Sequence, residues 1–107
     1  MIRRGDVHRL KAASPAEAAG LVLVVSNNAN NRSSLPDLTV LEVEAGQGDE
    51  ASGLETSFEL ASQRLKVQGR GLSRIAKDRL EPLPFGTLSG DELGRVETLL
   101  ALHLGLD

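Results

Sequence analysis

Apolar and polar residues fall in several short strand-like segments along this chain, and a helical period appears near its end. Asp6–Leu10 reads as a first strand, with Val7 and Arg9 on one side and His8 on the other. Leu21–Val25 is continuously apolar, the pattern of a strand buried on both faces. Leu38–Glu44 alternates: Leu38, Val40 and Glu42 point one way, and Thr39, Leu41 and Val43 the other. Glu42 and Glu44 then sit toward solvent, as in a one-sided strand. Glu55–Leu60, Ser62–Val67 and Leu72–Ile75 complete the set of short strands.

The connections carry their own signals. KAASPAEAAG is a flexible stretch in which a short helix over Pro15–Ala19 is allowed by the proline at its first position. AGQGDEASG and LEPLPFG read as turn and loop. Gly69-Arg70-Gly71 marks a bend, or a place where another part of the chain comes close. Ser89 precedes Glu92 by the capping-box interval, with Asp91 and Glu92 in the first turn. Leu93, Val96, Leu100 and His103 or Leu104 follow at helical steps, and Gly105 ends the run. Short strands followed by one terminal helix predict a single α+β, mainly β domain over residues 1–107, a small barrel closed by its C-terminal helix.

Composition narrows the chemistry. The chain has no cysteine, which excludes disulfides and thiol catalysis and fits a reducing cytoplasm. No apolar run nears the roughly 18–20 residues that cross a bilayer, and the two N-terminal arginines precede no signal-peptide core. With only Phe58 and Phe85 as aromatics, base stacking on rings is not available as a binding device. The net charge of −3 conceals segregation: residues 42–59 carry six acids and no base, and residues 60–80 six bases and one acid. That basic block is either a phosphate footprint or a set of solvated positions on alternate sides of a strand.

Most site chemistries find no support. His8 and His103 are isolated, so no metal-ligand spacing exists and no cofactor is expected. His8 shares a strand face with Asp6, which leaves it open as a base or as an ordinary strand histidine. The glycine-rich GQGDEASG carries acids that would repel phosphate. No Ser/His/Asp order suggests a triad. What remains is the amide cluster SNNANNRSS after the second strand, whose side chains either cap local turns or read base edges in a groove.

Five collinear segments resemble the MazF/PemK toxins. The opening RGD (Arg4-Gly5-Asp6) is similar to the RGD/E-I-Y/W start of that family. VLVVSNNANN resembles V-V-V-S-N-D-x-x-N, with Ser26, Asn27 and Asn31 matching and Asn28 in place of the acid. LTVLEV falls where the family has T-V-V-P-V, and LSRIAKDRL resembles I-R-T-V-D-K-x-R-L at Lys77, Arg79 and Leu80. GTLSGDELGRVETLLALHLGL is similar to the family's terminal G-x-L-S-x-E-E-L helix. Residues 45–68 match least.

The resemblance implies an SH3-like barrel with a C-terminal helix, a homodimer, an antitoxin partner and metal-independent cleavage of single-stranded RNA. In that reaction the 2′-hydroxyl attacks the adjacent phosphate and the 5′-oxygen leaves, which calls for a proton acceptor, a donor and a cation. The family's arginine and proline match Gly20 and Leu21 here, its Thr/Ser pair Glu44 and Ala45, and its D-Q pair Arg70 and Gly71. Loss of one oxyanion stabiliser commonly costs about 10²–10³ in rate, so altered or weakened catalysis is expected. The remaining catalytic candidates are Glu44 as proton acceptor, Arg70 as transition-state cation and Arg74 as a phosphate contact. Asn27, Asn28, Asn31 and Arg32 are the candidates for contacting RNA or antitoxin. The other reading is a catalytically silent barrel that binds an antitoxin-like peptide.

Overall fold

The computed structural model describes residues 2–11, 20–45 and 55–105. The helix expected over Pro15–Ala19 and nearly all of the AGQGDEASG turn lie outside them. Six strands form one sheet: β1 (Asp6–Arg9), β2 (Leu21–Val24), β3 (Asp37–Ala45), β4 (Glu55–Leu60), β5 (Gln63–Ala76) and β6 (Gly86–Thr87). Two helices accompany them, α1 (Asn28–Arg32) and α2 (Gly90–Leu104), with one 3₁₀ turn at Lys77–Arg79. The strand order is β4-β5-β3-β2-β1-β6, and every pairing is antiparallel. The sheet curls until its edges approach: a Cβ on Gly86 of β6 would lie 2.6 Å from the Leu60 side chain of β4. Glycine is required there because the other edge strand occupies that space. The result is a half-barrel closed by α2, as the alternation predicts.

Both faces of the central strands are buried. The concave face gathers Val7, Leu23, Leu41, Phe58, Leu65 and Val67 against Val96 and Leu99 of α2. The convex face gathers Val22, Val24, Leu38 and Val40 beneath Leu80, with Ile2, Leu10 and Ile75 at the margin. Each fully buried Leu or Val contributes about 1.5–3 kcal/mol relative to exposure. This double burial accounts for the unbroken apolar run of β2. It also corrects the reading of β3 as one-sided: Leu38, Val40 and Leu41 are buried on its two faces, and Glu42 and Glu44 emerge into solvent.

One further expectation changes. The segments Ser62–Val67 and Leu72–Ile75 are one strand, β5, of 14 residues. Leu41 pairs with Leu72 and Val43 with Val67, so Gln68–Gly71 bulge opposite the single residue Glu42. Antiparallel pairing resumes beyond the bulge, which is why the glycine pair bends the strand without ending it. Glycine is needed at Gly69, where a Cβ would lie 2.8 Å from the His103 side chain; one on Gly71 would be tight, 3.2 Å from the Gln68 carbonyl. The β4–β5 hairpin turns through Ala61 and Ser62, both with positive φ (51° and 64°).

The terminal helix forms as its local signals dictate. Ser89 Oγ accepts from the Glu92 amide at 3.2 Å, and the Glu92 carboxylate accepts from the Ser89 amide at 2.9 Å. Gly105 takes the left-handed conformation at φ 71° that stops it. The buried stripe is Val96 and Leu99, flanked by Leu93 and Leu100. Leu104 is exposed instead of buried, and His103 lies against Gly69 of β5.

Candidate functional site

The amide cluster is first a structural device. Asn27 caps α1, its Oδ1 accepting from the Asn30 amide at 2.8 Å. Asn31 is 6% exposed. Its Nδ2 donates to the Ser26 carbonyl at 3.0 Å and to Asn28 Oδ1 at 3.3 Å, and its Oδ1 accepts from Ser26 Oγ. The Arg4 amide reaches Asn28 Oδ1 at 2.8 Å, which ties the N-terminal segment to α1. Lys77 Nζ donates to the carbonyls of Ser33 and Asn30 at 2.7 and 3.3 Å, holding the end of the turn. Asn27 and Asn31 are thereby committed to the fold. Asn28 and Arg32, with Ile2 and Arg3, line a concavity of about 310 Å³.

The polar residues of β1 are committed as well. His8, 1% exposed, donates from Nδ1 to the Glu81 carbonyl at 2.9 Å. Asp6 accepts from Thr87 Oγ1 at 2.8 Å and from the Arg3 amide at 3.2 Å, and its Oδ2 lies 3.9 Å from His8 Nε2. The two do share a face, as their spacing implies. Buried beneath the Glu81 segment, however, His8 is out of reach of any polymeric substrate.

At the other end of β2 lies a cleft of different character. Gly20, Leu21, Val22, Glu42 and Glu44 border a cavity of about 290 Å³, and Ser73 completes its rim. Glu42 and Glu44 also border a second cavity of about 220 Å³ with Gln68, Arg70 and Gly71. Because the two cavities share both glutamates, they form one acid-rimmed cleft. Its floor is β3, whose alternation puts Glu42 and Glu44 on one side. Its wall is the β5 bulge, which brings Arg70 round to them. Arg70 Nε donates to Gln68 Oε1, and no ion pair within 4 Å joins Arg70 to either glutamate among the described residues.

The structure therefore brings Glu44 and Arg70 together and leaves Arg74 apart. Arg74 pairs with Thr39 in register and Glu44 with Lys66, a separation along β3 of about 17 Å at roughly 3.3 Å per residue. Arg74, 77% exposed, forms an ion pair with Asp37 at 3.4 Å. The basic block is not one footprint: Lys66 pairs with Glu55, Arg64 donates to Ser57 Oγ, and Lys77 is occupied by carbonyls. Glu42 and Gln68 are additions to the candidate set. The two-residue spacing of Glu42 and Glu44 was the available signal for the first. Nothing local signals Gln68, whose position depends on the bulge. Among the described residues no group of three or more His, Asp or Glu could hold a metal ion. No helix there is long and apolar enough to cross a membrane.

No protein-family model and no curated protein matches the chain. Solved structures do. A mycobacterial endoribonuclease in complex with its cognate antitoxin superimposes with a TM-score of 0.79 at 23% identity, over 100% of this chain and 98% of that one. The MazE–MazF structure from Deinococcus radiodurans gives 0.72 at 18% identity, over 99% and 98%. The Mycobacterium tuberculosis toxin MazF-mt6 gives 0.70 at 14% identity, over 95% and 98%. This chain has the MazF fold. Within that MazF-like frame, Gly20 and Glu44, matched from sequence to the family's arginine and hydroxyl positions, border one cavity. This chain's barrel thus has a cavity with glycine and glutamate at two of its borders.

Proposed function

We propose that this chain is the toxin of a MazF-type toxin–antitoxin pair, a cytoplasmic homodimer that cleaves single-stranded RNA without metal using an altered set of groups. The observation that carries this is the meeting of Glu44 and Arg70 in the cleft where the matched positions fall. Glu44 takes the proton of the attacking 2′-hydroxyl, and the new bond forms between that oxygen and the adjacent phosphorus. The bond to the 5′-oxygen breaks, leaving a 2′,3′-cyclic phosphate. Water supplies the proton to the departing oxygen in this open cleft. Arg70, without a carboxylate partner within 4 Å among the described residues, supplies charge to the pentacovalent phosphorane. Arg74 lies outside this arrangement and serves at most as a distant phosphate contact.

The test is cleavage of a single-stranded RNA in the presence of a chelator, comparing the native chain with Arg70→Ala and Glu44→Gln. Both variants should slow cutting, with cyclic phosphate as the product end. Failure of the native chain to cut at high protein concentration removes the nuclease reading.

A second reading is favoured by the two exposed glutamates on the cleft rim, which repel phosphate and attract a basic segment. In it the barrel is catalytically silent and binds an antitoxin-like peptide. The mycobacterial and Deinococcus structures, each described with an antitoxin partner, support a partner of that kind under either reading. Growth arrest on expression, relieved by co-expressing a neighbouring small open reading frame, supports toxicity. Co-purification with that product without arrest supports the silent barrel.

A further inference from the structure

The concavity at the C-terminal end of β2 differs from the acid-rimmed cleft in having no acid among its described lining residues. Its lining is Ile2, Arg3, Asn28 and Arg32. Arg4 is neutralised by Glu97 at 3.2 Å, whereas Arg3 and Arg32 have no carboxylate within 4 Å among the described residues. Asn28 completes the pattern. Its Oδ1 accepts from the Arg4 amide and from Asn31 Nδ2. A backbone N–H can only meet an oxygen, so the end of Asn28 without a protein acceptor is the Nδ2 donor. Every polar side chain with unused capacity on this rim is therefore a donor, and two of them are guanidinium forks that fit phosphate oxygens in pairs.

Position indicates the source of such an anion. Ile2 belongs to the convex-face cluster that also contains Val22, Leu10 and Ile75, all three of which border the acid-rimmed cleft. The Gly5 amide bonds the Val24 carbonyl, placing the N-terminal segment at the far end of β2 from Gly20 and Leu21. The concavity and the cleft are then on one face, separated by the length of β2, about 13 Å at roughly 3.3 Å per residue. A single extended RNA strand crosses that distance within a few nucleotides. We propose that Arg3, Asn28 and Arg32 form a phosphoryl-binding subsite that takes an RNA phosphate flanking the cleft. Only the source of the phosphate rests on the ribonuclease reading above; the anion chemistry does not.

The three side chains can be changed without loss of the fold. Arg3 and Arg32 are exposed, and Asn28→Asp keeps an oxygen for the Arg4 amide while replacing the donor with a charged acceptor. The probe is a 5′-labelled 2′-O-methyl oligoribonucleotide, which lacks the attacking hydroxyl, titrated by anisotropy over a salt series. Arg3→Gln and Arg32→Gln should each weaken binding about five- to tenfold and lower the log–log salt slope by about 0.7. Asn28→Asp should weaken it at least as much. In parallel, inorganic phosphate should shift the Asn28 side-chain amide resonance saturably in the native chain.

Unchanged affinity and slope in all three variants, with native melting curves, would overturn the subsite and leave the ribonuclease reading standing. If the oligonucleotide does not bind while phosphate still shifts Asn28, with the response lost in Arg3→Gln and Arg32→Gln, the RNA source fails and the phosphoryl site stands. Poly-aspartate binding as tightly as the oligonucleotide, with the same arginine dependence, would overturn the phosphate assignment. Absence of response to any probe overturns the proposal outright.

Discussion

The two concavities at opposite ends of β2 are built by different means. The Arg3–Asn28–Arg32 hollow rests on side chains bonded to one another: the buried Asn31 bonds Ser26 and the exposed Asn28, and Lys77 clamps the turn. The acid-rimmed cleft rests on backbone, a four-residue bulge opposite Glu42 whose glycines admit His103 and the β3 backbone. In the first, Asn28 both shapes the surface and bonds the frame through its oxygen, while Arg3 and Arg32 are exposed additions to it. In the second, Glu42, Glu44 and Arg70 are exposed ends on a backbone frame that does not depend on them. The cleft can thus exchange its chemical groups while the barrel persists. That is the physical basis on which a MazF-like fold can carry Gly20 and Glu44 at its cleft.

This contrast can be broken or sharpened by substitution. The largest effect is expected on chemistry: Arg70→Ala should reduce RNA cutting by about 10²–10³ with the thermal midpoint unmoved, checked by single-turnover cleavage and a melting curve. Next is the frame itself. Gly69→Val puts a branched side chain into the His103 ring and should cost about 3 kcal/mol in urea unfolding. Adding His103→Ala should restore part of that loss; no recovery would mean the bulge is held by something else. Asn31→Ala removes a buried amide and its bonds to the part-buried Ser26 and should cost about 1–2 kcal/mol by the same measurement. Arg74→Ala removes an exposed ion pair with Asp37 and should change stability by at most about 0.5 kcal/mol. A large loss of cutting in Arg74→Ala would contradict the separation of Arg74 from the cleft.

How far the sequence predicted these features depended on how local each one is. The start and stop of α2 could be read because Ser89, Glu92 and Gly105 are signals within a few residues of the turns they control, whereas its buried stripe, which includes Leu99 and not Leu104, depends on the sheet it packs on. The half-barrel followed from alternation, and β2 from its unbroken apolar run. β5 was hidden because the glycines of Gln68–Gly71 look like a strand end until the register with Glu42 is known, and that register is a contact between distant segments. Likewise α1 is a helix of only five residues, three of them asparagine, stabilised by its cap and by Lys77 rather than by propensity. Glu44 and Arg70 were identified individually, but their meeting was not predictable. Arg3 gave no sign of joining Asn28 and Arg32, since the Arg4–Asn28 bond that joins them spans 24 residues.

The β4–β5 hairpin turns through Ala61 and Ser62 in a geometry that favours Asn-Gly. Neither side chain accepts left-handed backbone readily, so the barrel carries a small standing penalty at a corner remote from both concavities. Anyone preparing a hardened scaffold for the more damaging variants would begin at this tip, where relieving torsional discomfort leaves the chemistry alone.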